Sequence, residues 1–182
     1  MLVGDGVLHG DAVATLEGWA APDAEQERLR AHYLRHLAQH ADGVWRSSRP
    51  EHITASALVA DAAGANVLLT LHKMVGRWLQ LGGHCEPGDT TLADAALREA
   101  AEESGIEGLR LLPGPVHLDR HRVWCHGGSY HLDVQYVATA PEDARERISE
   151  ESDDLRWFPI GDLPERTDDA LRRLVSHARR VR

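Results

Sequence analysis

"LGGHCEPGDTTLADAALREAAEESGI", Leu81 to Ile106, is the stretch on which the rest of the chain turns. Its first part is a loop: Gly82, Gly83 and Gly88 let backbone approach a ligand closely, and Pro87-Gly88 marks a turn. Its second part reads as a helix, with Thr90 or Thr91 placed to cap its start and Gly105 to end it after Ser104. On that helix Glu102 and Glu103 fall roughly 60° and 40° to either side of Glu99, so three acids share one stripe. Like charges at these spacings destabilise an isolated helix by about 0.2–0.5 kcal/mol per pair. Either water screens them or a positive group sits among them. Ala93 and Leu97 point the other way, toward a core, and Arg98 stands four residues before Glu102, where it can hold that acid in place. Glu86 and Asp89 bring further oxygens to the same end. A hard divalent cation takes several carboxylate oxygens, and magnesium combines one or two such residues with waters and substrate phosphates. Such a cation would account for the crowding.

The whole chain narrows the setting. Its 182 residues, 42% hydrophobic and 27% charged, suit one domain with a sizeable core. The net charge of −9 argues against a DNA or RNA track, although a free nucleotide needs only a local cationic site. Two cysteines, Cys85 and Cys125, make neither a CxxC pair nor a disulfide framework, so a reduced setting is expected. The first residues lack the pattern of a signal peptide, and no apolar run approaches the roughly 20 residues of a membrane span. A soluble, cytoplasmic protein is the expectation. The twelve histidines are scattered and read as surface or hydrogen-bonded side chains rather than as a metal cluster.

Helix and strand patterns alternate along the chain. Leu29, Tyr33 or Leu34, and Leu37 recur at helical spacing between Pro22 and Ala41, with Asp23 as the cap and Gly43 as the end. Residues 1–48 are therefore read as a helical extension, and 49–182 as the main domain. "ITASALVAD" and "VLLTLH" are strands joined by the turn "AAGAN". "LRLLPGPVHLDRHRVW" and "SYHLDVQYVATA" are two more, flanking "CHGG". In the second, His131, Asp133 and Gln135 alternate with Leu132, Val134 and Tyr136, giving one polar and one apolar face. "LRWFPI" is a short strand and "RTDDALRRLVSHARR" an amphipathic helix. Strands and helices interleave around an antiparallel hairpin, which implies an α/β fold with a mixed sheet.

The opening stretch resembles the signature of the Nudix hydrolases: a glycine, five residues, a glutamate, seven residues, then Arg-Glu-aliphatic-any-Glu-Glu-any-Gly-aliphatic. Gly83 is the first glycine and Asp89 stands in the place of the first acid. Arg98, Glu99, Ala100, Glu102, Glu103, Gly105 and Ile106 fill the second half in order. Three features depart from the pattern: Asp89 replaces glutamate, Ala100 is small, and eight residues separate Asp89 from Arg98. "HITASALVAD", "GRWLQLGGHCEPGD" and "EESDDLRWFPIGDLP" extend the resemblance over about Glu51 to Pro164.

The resemblance implies a Nudix-type α/β/α sandwich around a mixed β-sheet. It implies Mg2+ or Mn2+ held by Glu99, Glu102 and Glu103 with the Gly83 carbonyl, and Arg98 orienting the acids. The reaction would be hydrolysis of a pyrophosphate bond in a nucleotide or nucleotide derivative, with Glu102 or Glu103, or a loop acid at Glu150 or Glu151, as the base. His84, Glu86, the polar face His131, Asp133 and Gln135, and Trp124 are the candidates for touching substrate. "RVW", Arg122 to Trp124, carries none of the family's substrate markers. Two rivals differ in class: a non-catalytic nucleotide-sensing Nudix module, and an isoprenoid diphosphate isomerase using a reactive cysteine. A homodimer is compatible with the family.

Overall fold

Glu51–Ala60 forms β1, and every residue of it is buried. A strand covered on both faces belongs in the middle of a sheet. In the computed structural model, which describes residues 5–123, 128–150 and 152–181, β1 lies between strands on either side. It pairs in parallel with β7 (Ser129–Thr139), from Glu51↔Tyr130 to Ala60↔Thr139. On its other side it pairs antiparallel with β4 (Leu81–His84) along one half and with β2 (Asn66–His72) along the other. Beyond β2 lie β3 (Trp78–Leu79) and β8 (Ser152–Pro159); beyond β7 lie β5 (Arg110–Leu111) and β6 (His117–Val123). The result is a mixed eight-stranded sheet.

The strand expected over "LRLLPGPVHLDRHRVW" is two strands, β5 and β6. Pro113 and Pro115 cannot donate to a ladder, and Gly114 turns with φ 74° between them.

The two faces of β1 serve two cores. Ile53, Ala55, Ala57 and Val59 point to a cluster completed by Leu132, Val134, Tyr136 and Ala138 of β7 and by Leu92, Ala95, Ala96 and Ala100 of α3 (Leu92–Ser104). Leu58 and Ala60 point the opposite way, to Leu171, Leu174, Val175 and Ala178 of α4 (Asp169–Val181). The near end of that second face is not apolar. It carries His52, Thr54 and Ser56 on β1 beside their partners His131, Asp133 and Gln135 on β7.

Two helices precede the sheet. Leu8, Ala12 and Leu16 of α1 (Asp5–Gly18) and Tyr33 and Leu37 of α2 (Ala24–Gln39) are buried in the same cluster as Ile53 and Leu92. Asp23 caps α2 by accepting from the Gln26 N–H at 2.9 Å. The helix stops at Gln39 with His40 as its cap, earlier than Gly43; the Gly43 carbonyl lies 3.2 Å from His36 Nε2 and also accepts from the Ile53 N–H. Among the described residues no helix is long and apolar enough to cross a membrane.

Candidate active site

The helix that carries the acids is fixed at both ends. Thr91 Oγ1 accepts from the Asp94 N–H at 2.9 Å, and Gly105 ends α3 in the left-handed conformation at φ 65°. A second acceptor arrives from far away: Asp11 of α1 takes the Leu92 N–H at 2.8 Å. Ala95, Ala96 and Ala100 face the core and are fully buried, so small side chains let α3 lie close on the sheet. Arg98, Glu99 and Glu102 are left on its outer side.

Arg98 is the hub. Its Nε and Nη2 donate to both oxygens of Asp89 at 3.0 Å, and Nη2 also donates to the His84 carbonyl. Its Nη1 donates to Glu99 Oε1 at 3.0 Å and to Glu102 Oε2 at 3.1 Å. Two carboxylates therefore hang side by side on one nitrogen. With eight residues between Asp89 and Arg98, the two-pronged pairing closes. Burial presses the Asp89 carboxyl upward, yet the Arg98 bonds and the Glu86 N–H outweigh it and hold Asp89 below its usual range.

Glu99 leans the other way. Its burial is the largest influence and raises its pKa; Arg98 opposes this, while Glu102 and Glu86 add to it. A Cβ at Gly83 would lie 2.7 Å from Glu99 Oε2, so the carboxylate rests directly on the glycine backbone. A side chain at 83 would push that carboxylate out of this position. Glu103 turns back to accept from the Gly82 N–H at 3.2 Å, and is nearly buried. Glu102 is the exposed member, with 61% of its side chain accessible.

Of the residues singled out for substrate, Glu86 lies in the loop, its N–H held by Asp89 Oδ2. His84, His131, Asp133 and Gln135 lie on the polar half-face of the sheet, reached from β4 and β7. Alternation along β4 turns Gly83 toward Glu99 and His84 away from it. Asp133 is buried and accepts from Thr54, Ser56 and Gln135 at 3.0, 2.7 and 2.8 Å, and from Gln80 at 3.3 Å. His131 is pushed down to about 2 by burial first, then by His121, His84 and His52. Trp124, Cys125 and Glu151 lie outside the described residues. Cys85 is buried, and burial pushes its thiol up to about 12, which leaves it inert as a nucleophile.

What the sequence reading missed is the meeting of histidines. His52, His84 and His131 come together on three strands, although the sequence reads its histidines as surface or hydrogen-bonded side chains and not as a cluster. The available signal was the period-two pattern His52-x-Thr54-x-Ser56 and His131-x-Asp133-x-Gln135, two polar faces that a parallel pairing would align.

The chain's similarities agree with this geometry. The family model of the NUDIX domain matches residues 50–178, and the chain belongs to the Nudix family. It resembles a NUDIX-family hydrolase from Clostridium perfringens, at 25% identity and TM-score 0.60, over 72% of this chain and 98% of that one. It shares its fold with a C. elegans Ap4A hydrolase, at 21% identity and TM-score 0.58, over 70% and 95%. The same holds for the E. coli dihydroneopterin triphosphate pyrophosphohydrolase, at 18% identity and TM-score 0.57, over 73% and 95%. No curated protein matches by sequence. The protein is a pyrophosphohydrolase of the Nudix class.

Proposed function

We propose that the hydrolysis depends on Mg2+ or Mn2+ bound by Glu99, Glu102 and Glu103 together with the Gly83 carbonyl. The observation that carries this reading is the Glu99 carboxylate, half-buried, its pKa raised by burial and by acidic neighbours, and seated directly against the Gly83 backbone. Carboxylates so placed repel one another, and a divalent cation relieves them. When bound, such a cation neutralises diphosphate oxygens and makes water a better nucleophile near neutral pH.

The chain's own groups divide the remaining work. Arg98 is a positioning residue: its nitrogens are committed to Asp89, His84, Glu99 and Glu102, so it sets the acids rather than gripping phosphate. Glu102 and Glu103 are the candidates for taking the proton from water. Glu102 is reachable from solvent, whereas Glu103 is tied to the Gly82 N–H. Glu86, and the face formed by His84, His131, Asp133 and Gln135, are the groups we assign to the nucleotide side of the substrate.

The substrate is to be found among compounds of the kind its structural neighbours are named for. The test is a panel of nucleoside triphosphates, dinucleoside polyphosphates, ADP-ribose, NADH and nucleotide sugars, assayed with Mg2+, with Mn2+ and with chelator. Cleavage of one compound that chelator abolishes and either cation restores is expected. Cleavage indifferent to chelator would overturn the metal assignment. Tight binding of a nucleotide without cleavage would favour the sensing module instead.

A further inference from the structure

His52, His84 and His131 bring their ring nitrogens within 4.8 Å of one another. Their ring centroids are 5.2, 5.0 and 4.9 Å apart, pair by pair. The sheet register produces this meeting. His52 and His131 are direct partners in the parallel β1–β7 pair, and His84 partners Thr54, two residues along β1 on the same face. Three atoms so spaced have a common centre no more than about 2.8 Å from each, while a zinc-like ion takes imidazole nitrogen at about 2.0–2.1 Å. Each side chain has to close by only about 0.7 Å, a small adjustment of χ angles.

The donor chemistry selects the ion. Imidazole nitrogens without accompanying carboxylate oxygens suit zinc, cobalt, nickel or copper, not the magnesium or manganese of an oxygen site. The surroundings point the same way. Nε2 of His131 is buried without a hydrogen-bond partner among the described residues, and His52, 1% exposed, has only the Ser48 backbone beside its ring. Buried polar atoms are nearly always paired, so these nitrogens are suited to an occupant that bonds to them. The Ser48 backbone beside His52 is the kind of outer partner that orients a ligating ring. His121, its ring 5.2 Å from that of His131, is held at Nδ1 by Asp119 and stays outside the group.

We propose that His52, His84 and His131 bind one late first-row divalent cation of the zinc class, with a fourth position open. This site is separate from the acids of α3. Gly83 and His84 are consecutive on β4 and face opposite sides of it, so the two metals would sit back to back across one strand. The site shares His84 and His131 with the nucleotide-facing groups proposed above, and its test reads metal binding alone, apart from hydrolysis.

The test uses tag-free, chelator-stripped full-length protein titrated with Co2+ and then Zn2+, following the visible absorption of cobalt. X-ray absorption of the zinc-loaded protein counts imidazole ligands. One equivalent bound through three imidazoles is expected. His52→Gln and His131→Gln should weaken it by about 100-fold or more, while Glu102→Gln and His117→Gln change it less than about twofold. Circular dichroism shows whether each variant folds; if His52→Gln does not, the less buried His84→Gln replaces it, and the ligand count on wild type decides regardless. Absence of stoichiometric binding, fewer than three imidazoles, or an ion lost in Glu102→Gln but kept in His52→Gln would each overturn the proposal.

Discussion

Two polar regions meet at β4 and are built on opposite terms. On the α3 side, charged groups cluster: Asp89, Glu99 and Glu102 share one guanidinium. On the far side, uncharged or singly charged groups are layered across strands, with three imidazoles at one end and the Asp133 carboxylate among hydroxyls and amides next to them. The first region is nearly all one contiguous segment of chain and tolerates exposure, since its charges are solvated or paired. The second is buried and made from residues about 80 positions apart in sequence, so its polar groups depend on neighbours that the fold brings together. The lesson is that charge neutralisation can be done locally, whereas desolvated polarity has to be solved by the whole fold. Four sets of substitutions probe that division.

The largest effect belongs to the acidic side and should appear in turnover, not in stability. Glu102→Gln and Glu103→Gln should each lower kcat/KM by about 1,000-fold or more, some 4 kcal/mol of transition-state stabilisation. Thermal melting should shift little, because Glu102 is exposed and glutamine at 103 can still accept from Gly82. The neighbouring glycines sharpen the contrast. Gly83→Ala would strike only the Glu99 carboxylate at 2.7 Å, which can swing aside, so the protein should fold and lose activity. Gly82→Ala would place Cβ 2.2 Å from Ser56 Cβ and 2.7 Å from the Ala55 carbonyl, so it should fail to fold. Wild-type activity in both glutamine variants would sink the site assignment.

Asp133→Asn comes next, and reads out in stability. The amide turns one acceptor oxygen into a donor facing Thr54, Ser56, Gln80 or Gln135, all of which already donate to it. A loss of about 4 kcal/mol in urea unfolding is expected for a buried charged hub. A loss under about 1 kcal/mol would mean the hub is more solvated than its geometry implies.

These two regions were unequally legible from sequence. Much of α3 depends on spacing within a dozen or so residues, so a cap at Thr90 or Thr91, the stop at Gly105 and the shared stripe of Glu99 and Glu102 could be read directly. Glu103, by contrast, is buried, and Ala95, Ala96 and Ala100 take the core positions expected of Ala93 and Leu97, which are partly buried. The polar face of β7 was also readable, since alternation of His131, Asp133 and Gln135 is local. Its partners were not. Nothing near residue 131 in sequence shows that β1 runs parallel beside it in the register His52↔His131, because that pairing is fixed by the packing of α3 and α4 on either side of the sheet. Helix α1 was obscure for a related reason. Leu8, Ala12 and Leu16 are fully buried at a four-residue repeat, but with so few large apolar groups the stripe is narrow.

The third effect follows from a buried histidine pair at the margin of the polar face. His117 Nδ1 lies 2.9 Å from His177 Nδ1, so one ring must donate and the other accept. Burial, then the His177 charge, lowers His117 to about 4, against an ordinary value of 6.5. Its folded form stays neutral while an unfolded chain takes up a proton, so stability is full above pH 6.5 and falls as pH drops toward 4. One such group removes up to about 3 kcal/mol by the lower end. His52, His131 and His177 are lowered too, so the acid limb should be steeper than one proton. His117→Asn should take one proton out of that slope in chemical unfolding between pH 4 and 6.5; an unchanged slope would show that the pair does not resist protonation.

The smallest effect asks how firmly the N-terminal helices belong to the acidic region. Asp11 of α1 accepts from the Leu92 N–H at the start of α3, a contact spanning 81 residues of sequence. Asp11→Ala removes that acceptor and should cost about 1 kcal/mol, the usual value of a helix cap. The charge is another matter. Burial raises the Asp11 pKa most; the Leu92 bond opposes this and Asp94 adds to it. A carboxyl whose folded pKa lies above its ordinary value is less stabilising once ionised, so its contribution declines as pH rises through that value. Asparagine keeps the acceptor without the charge. Asp11→Asn should therefore be at least as stable as wild type at neutral pH, while Asp11→Ala is weaker, with both measured by thermal melting. If the two variants were equally destabilised, the carboxylate itself would be the stabilising element, and α1 would be held to α3 by charge rather than by a hydrogen bond over a shared apolar core.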